Sequence, residues 1–248
     1  GRVSRTGAMA LSWSMDKIGA LCRNAQDAAI VLAAIHGPDG SDQTLYSAPF
    51  RYDPELPLAS LRIGYLHRDF AAEYPFHKND SLALARLRDL GAQLVPVELP
   101  DLPVNALSII LSAEAAAAFD ELTRSNRDSL LVRQIKNAWP NDFRQSRFIP
   151  AVEYINANRI RHELIQKMAK LMQQVDCYVA PSWDGDNLLL TNLTGHPCIA
   201  VPTGLAADGT PASISFTGRL FDEGTIIALA NAYQRATGYH LKRPPLIK

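Results

Sequence analysis

Two neighbouring glycines occur nowhere in the chain, and neither a Walker loop nor a dinucleotide-binding fingerprint is present. The glycine-flanked nucleophile turn G-x-S-x-G is also missing; Ser182 stands in Ala-Pro-Ser-Trp-Asp, without the glycines that such a strained turn requires. Charge of one sign is lacking as well. Lys and Arg number 25 and Asp and Glu number 25, so the basic excess that marks binders of nucleic acid or anionic membrane is absent. No apolar run approaches the ~20 residues of a membrane span, and no signal-peptide pattern opens the chain. Cysteine is scarce and odd in number: Cys22, Cys177 and Cys198 form no C-x-x-C pair and read as small buried hydrophobes in a reducing compartment. The six histidines lie far apart with no two at ligand spacing, so neither a metal nor another cofactor is expected. These absences predict a soluble, cytoplasmic globular protein that engages neither nucleic acid nor membrane.

What the chain does have is a core. Its 248 residues suffice for a single large α/β domain spanning 1–248. The stretch 175–205 organises it: a buried strand at 175–180, a polar loop at 181–187, a turn-rich link, then a second apolar strand at 197–201 closed by Pro202-Thr-Gly204. Short β-rich runs bounded by Pro and Gly are what covered strands look like, and loops leaving covered strands carry chemistry.

The other elements follow from periodicity. Residues 8–11 read as a short strand; Asn24 caps an Ala-rich helix that stops at Gly37, with His36 at its C-terminal end. A strand at 61–66, a helix at 80–90 and a strand at 93–99 make a βαβ unit, which predicts a parallel or mixed sheet flanked by helices. Helices are expected at 108–124, 130–138 and 151–174, a strand at 211–218, and a helix at 222–237 capped by Asp222 and stopped by Gly238. Residues 242–245 read as a surface strap. The chain opens on Gly1-Arg-Val-Ser-Arg-Thr-Gly7, which has the character of the middle of a folded segment and suggests that polypeptide precedes it.

Polar side chains are densest at Ser182, Trp183, Asp184, Asp186, Asn187, Thr191 and Asn192. Asp184 and Asp186 would suit acid–base work or substrate lining, although carboxylates two apart beside a glycine also close turns. One nucleophile pattern occurs, Ser14-Met-Asp-Lys17. On a helix, S-x-x-K puts a desolvated Lys amine beside the Ser hydroxyl, but the flanking residues do not resemble a helix start. His162 and Glu163 form no H-E-x-x-H site, because Gln166 stands where the second His belongs.

Three segments together carry a resemblance. Gly1-Arg-Val-Ser-Arg5 with Leu11-Ser-Trp-Ser-Met-Asp16-Lys-Ile-Gly19 is similar to the G-R-V-S…S-x-D-x-x-G segment of the amidase signature family. Asn192-Leu-Thr-Gly195-His-Pro197 with Val201-Pro-Thr-Gly204 resembles its N-L-T-G-x-P…V-P-x-G segment, and Gly218-Arg-Leu-Phe-Asp-Glu223 its G-R-x-F-D-E ending. The likeness covers the whole chain.

The resemblance implies cofactor-independent hydrolysis of carboxamide C–N bonds, sometimes of esters or carbamates. In that family a Ser nucleophile is activated through a second Ser by a Lys, beside oxyanion-hole amides. Those residues sit in a Gly/Ser-rich signature that this sequence does not contain, so no catalytic residue carries over. The expected role is the C-terminal portion of an amidase, partnered by an N-terminal amidase portion and a small-molecule amide or ester. The loop before N-L-T-G would supply the pocket wall: Trp183, Asp184, Asp186 and Asn187, with Thr191 and Asn192 shaping the turn beneath. His196 packs before Pro197, and Asp16 pins the N-terminal segment. Two alternatives stand beside this reading. One is a stand-alone esterase or amidase using Ser14 and Lys17. The other is a non-catalytic module that binds a small molecule or a partner, or self-associates into a homo-oligomer.

Overall fold

The computed structural model describes residues 1–183 and 185–243. Five strands form one sheet: β1 (Arg62–Leu66), β2 (Gln93–Val97), β3 (Cys177–Pro181), β4 (Cys198–Leu205) and β5 (Pro211–Gly218). Their order is β2-β1-β3-β5-β4. β1 runs parallel to both β2 and β3, whereas β5 runs antiparallel to both β3 and β4, so the sheet is mixed. Parallel neighbours need a crossover, and antiparallel ones need only a turn. The chain obeys both rules. The helix α3 (His77–Asp89) lies between β1 and β2, and a tight turn with Gly209 at φ 84° joins β4 to β5.

β3 is the axis of the core. All five of its residues are buried, because side chains alternate across the pleat and both faces are covered. Cys177 and Val179 enter a cluster with Ile63, Ile214 and Phe216 from the sheet, Leu84 and Leu87 from α3, and Leu229 and Tyr233. Tyr178 and Ala180 face a second cluster containing Ile110, Leu164, Met168, Leu190 and Leu193. Each fully buried Leu or Ile in these layers contributes about 1.5–3 kcal/mol relative to exposure.

The remaining helices are α1 (Ala25–Ile35), α2 (His67–Ala71), α4 (Ser108–Ala118), α5 (Asp120–Arg124), α6 (Trp139–Ser146), α7 (Ala151–Leu171), α8 (Asn187–Thr194) and α9 (Glu223–Thr237). Asn24 caps α1 by accepting the Asp27 amide at 2.7 Å, and Gly238 ends α9 in the left-handed region at φ 66°. The N-terminal segment is clamped onto the start of α9 by Arg2, which donates to the Phe221 carbonyl at 2.6 Å and pairs with Glu223 at 2.8 Å. Among the described residues no helix is long and apolar enough to cross a membrane.

Several expectations are corrected. Residues 8–11 form no strand, and the expected helix 108–124 breaks at Phe119 into α4 and α5. No helix runs over 130–138; instead α6 starts at Trp139 with Pro140 in its first turn. Proline lacks the amide donor that a first-turn residue does not need, so here it opens a helix rather than closing one. The link after the polar loop is also helical, as α8. Its Thr and Asn residues fit because Thr191, Asn192 and Thr194 return their side chains to the Leu188, Leu188 and Leu190 carbonyls. Of the cysteines, only Cys177 is buried, and burial pushes its thiol up to about 12; Cys22 and Cys198 are exposed. The second half of the expected strap at 242–245 lies outside the described residues.

Candidate functional site

The polar bend leaves the carboxyl end of β3, on the same side of the sheet as the carboxyl ends of its parallel neighbour β1 and of β2 beyond it. In open α/β sheets the crevice outside these ends is where ligands bind. A cleft of about 300 Å³ lies there, and Leu66, Val97, Arg68, Glu98 and Asp186 are among the residues lining it. Gly185 makes the bend possible: its φ is 72°, and a Cβ would stand 2.8 Å from an Asp69 carboxylate oxygen.

The bend's polar residues divide in two. Asp186 accepts from Asn105 Nδ2 at 2.7 Å, and the buried Asn187 accepts from the Tyr178 hydroxyl at 2.7 Å, fastening the start of α8 to the sheet. Ser182 and Ser215 share a hydroxyl–hydroxyl bond at 2.9 Å. Thr191 and Asn192 bond within their own helix, at 3.0 and 2.8 Å to the Leu188 carbonyl. Trp183 is 72% exposed and borders a different, smaller recess with Tyr74, Phe76 and Ser213. Asp184 lies outside the described residues. Of the expected pocket wall, therefore, Asp186 lines the cleft, Asn187 and Thr191 are buried, and Trp183 faces another hollow.

His196 is 2% exposed. Thr194 Oγ1 gives its proton to the Leu190 carbonyl at 2.8 Å, so it accepts from His196 Nδ1 at 2.9 Å, which places the imidazole proton on Nδ1. Burial, and then the neighbouring Lys17 charge, lower its pKa to about 4. It is a neutral packing residue before Pro197.

Ser14 and Lys17 do not lie on a helix. The Ser14 hydroxyl donates to Glu114 Oε1 at 2.7 Å and accepts from Arg161 Nη1 at 2.6 Å. Lys17 Nζ donates to the Thr191 carbonyl at 3.2 Å, and desolvation, followed by the charge of Arg161, lowers its pKa. The two side chains thus have separate partners, and no bond joins them among the described hydrogen bonds.

Glu114 is the residue that sequence reasoning passed over. It is 7% exposed and receives four donors: Ser12 Oγ at 2.6 Å and Ser14 N at 3.0 Å on Oε2, Ser14 Oγ at 2.7 Å and Tyr154 OH at 2.9 Å on Oε1. Burial alone would raise its pKa; the bonds from Ser12, Ser14 and Tyr154 outweigh burial and leave it lowered. Arg161 extends the cluster to the Ser14 and Leu193 carbonyls at 2.8 and 2.6 Å. The signal for it was a single carboxylate beside the alanine run of α4, one turn after the buried Ile110. Among the described residues, no three His, Cys, Asp or Glu side chains stand close enough to hold a metal ion.

The architecture has known counterparts. The profile of the family described as Amidase matches residues 1–187. A glutamyl-tRNA(Gln) amidotransferase subunit from Ralstonia nicotianae is 30% identical over 302 residues, covering 98% of this chain and 61% of that protein. The native peptide amidase of Stenotrophomonas maltophilia superposes with a TM-score of 0.76 at 26% identity, covering 99% of this chain and 58% of that one. An amidase family protein from Bacillus anthracis shares the fold with a TM-score of 0.78 at 24% identity, over 100% of this chain and 53% of its own. The chain thus spans about three-fifths of the length of the curated relative it matches. With three-quarters of its residues inside the family profile and its sheet and helices superposing on solved amidases throughout, the chain belongs to the amidase signature family.

Proposed function

We propose that the chain forms the pocket-wall portion of an amidase that hydrolyses the C–N bond of a small carboxamide, with the reactive serine and lysine supplied by polypeptide outside these 248 residues. The observation that carries this reading is the cleft at the carboxyl ends of β1 and β2, with Asp186 of the bend in its lining, within a chain of the amidase family. The wall's role is positional. Asp186 is held by Asn105 and Asn187 by Tyr178, so the cleft is shaped before a substrate arrives, and prepaid ordering of this kind lowers the cost of orientation. Trp183 borders a separate recess with Tyr74, Phe76 and Ser213 and takes no part in this wall.

Engagement of Ser14 by a carboxylate and a guanidinium argues against its use as a nucleophile. The amidotransferase relative is named as one component of a larger enzyme, which supports assembly with partner protein as part of the same proposal. The test is ammonia release from a panel of aliphatic and aromatic primary carboxamides. The chain alone should show none, and co-expression with the N-terminal portion of an amidase should restore turnover. Turnover by the chain alone that survives removal of every contaminating amidase would sink the reading, as would a covalent acyl adduct on Ser14.

A further inference from the structure

A recess of about 130 Å³ lies between the start of α3 and the carboxyl end of β3, and it shares no lining residue with the cleft at the bend. Sites for whole small molecules run to ~300–1,000 Å³, so this one takes a head group. Three aromatic residues border it: Tyr74 and Phe76 from the segment entering α3, and Trp183 from the bend. Ser182 and Ser213 add hydroxyl-bearing side chains. Asp80, in the first turn of α3, belongs to the same lining. Its amide donates to the Phe76 carbonyl at 3.0 Å, and residues four apart at such a turn share one face.

Charge decides what fits. Asp80 is 1% exposed, and among the described residues it is the one charged member of the lining. Its carboxylate accepts from the Tyr74 hydroxyl at 3.1 Å, and a carboxylate offers about four lone-pair sites, enough for several donors at once. An anion would be repelled. A calcium ion asks for about six or more oxygen ligands, and among the described residues no group of three His, Cys, Asp or Glu could hold a metal ion. An organic ammonium meets both conditions: the carboxylate balances its charge, and aromatic faces attract a cation through the ring quadrupole. Ser182 shares one bond with Ser215 at 2.9 Å, and a hydroxyl has two acceptor lone pairs. Such acceptors serve the N–H groups of a primary ammonium and are of no use to a quaternary one.

We propose that this recess binds the primary ammonium end of a small amine, set among Trp183, Tyr74 and Phe76 with its N–H groups turned to Asp80, Ser182 and Ser213. The site stands apart from the amidase reading. No bond is broken in it, so the ammonia-release test can fail while binding holds.

The test is calorimetric titration of the chain with n-butylammonium chloride, with the Trp183 indole N–H resonance followed in parallel by NMR. The comparison probes are n-butanol, tetramethylammonium chloride and calcium chloride. Saturable binding that shifts the Trp183 resonance is expected, with n-butylammonium the tightest of the four. Asp80→Asn, which keeps the shape and removes the charge, should weaken it about tenfold or more. Trp183→Leu, at an exposed position, should weaken it severalfold without disturbing the core. Should Asp80→Asn lower the melting temperature, Trp183→Leu decides by itself. Unchanged affinity in either folded variant would overturn the proposal. So would equal or tighter binding of any comparison probe, or no saturable binding into the millimolar range.

Discussion

Two polar regions of this molecule look alike on paper and behave differently in space. The bend from Ser182 to Asn192 is dense in polar residues, yet Thr191 and Asn192 close their bonds on a carbonyl within their own helix. The Glu114 cluster draws on one carboxylate in an alanine run, yet its bonds reach residues about a hundred positions away, through Ser12 and Ser14, and across to α7 through Tyr154. Local density of polar residues thus marks where a chain turns. Long-range convergence on one buried charge marks where segments are tied together. Ser182, Asp186 and Asn187 are the exceptions within the bend, because each reaches another element.

The comparison is broken or sharpened by substitution. Glu114→Ala should cost the most, about 3 kcal/mol or more in urea denaturation, since it strands the buried Ser12 hydroxyl and the half-buried Tyr154 hydroxyl and leaves Arg161 without its compensating charge. Glu114→Gln, which keeps the shape, should cost about half as much. A loss below about 1 kcal/mol for the alanine variant would show that the cluster ties nothing.

Acid should weaken the fold through two groups. His196 is held at about 4 by burial, below its ordinary value near 6.5, so the unfolded chain binds more protons between these values. Stability therefore falls as pH drops through that window, by up to about 3 kcal/mol, and His196→Leu should flatten this part of the curve. Glu114, whose pKa is lowered, contributes stability that is present above the ordinary carboxylate value and lost as pH falls below it. Glu114→Gln should remove that lower limb. Denaturation midpoints measured at intervals of pH would separate the two.

Tyr178→Phe should cost about 1–2 kcal/mol, because it strips the buried Asn187 of its donor. Thr191→Val should stay within about 0.5 kcal/mol, since the helix carbonyl it serves keeps its backbone partner. If Thr191→Val cost as much as Glu114→Ala, the distinction between turning and tying would fail.

Particular residues show how far the sequence could be read. The alternation in Pro211–Gly218 defined β5 to the residue, and Asn24 and Gly238 marked helix ends at the positions seen. Both rest on interactions within a few residues. The helix expected over 130–138 begins instead at Trp139, with Pro140 in its first turn, and Thr191 and Asn192 misled because their low helix propensity is offset by bonds to the turn below. The wall residues were named together from their closeness in sequence, but their separation into a cleft-lining Asp186 and a Trp183 facing another recess follows from the direction α8 takes off β3.

By itself, the sequence determined the α/β class, the mixed sheet, the placement of β3 as a covered strand, and the family. These follow from periodicity and short motifs, which are encoded by neighbours along the chain. Only the tertiary structure decided that Ser14 belongs to Glu114 and Arg161 rather than to Lys17, and that His196 is neutral. A buried charge is satisfied by whichever donors the packed elements bring to it, and which ones arrive depends on contacts between segments far apart in the chain.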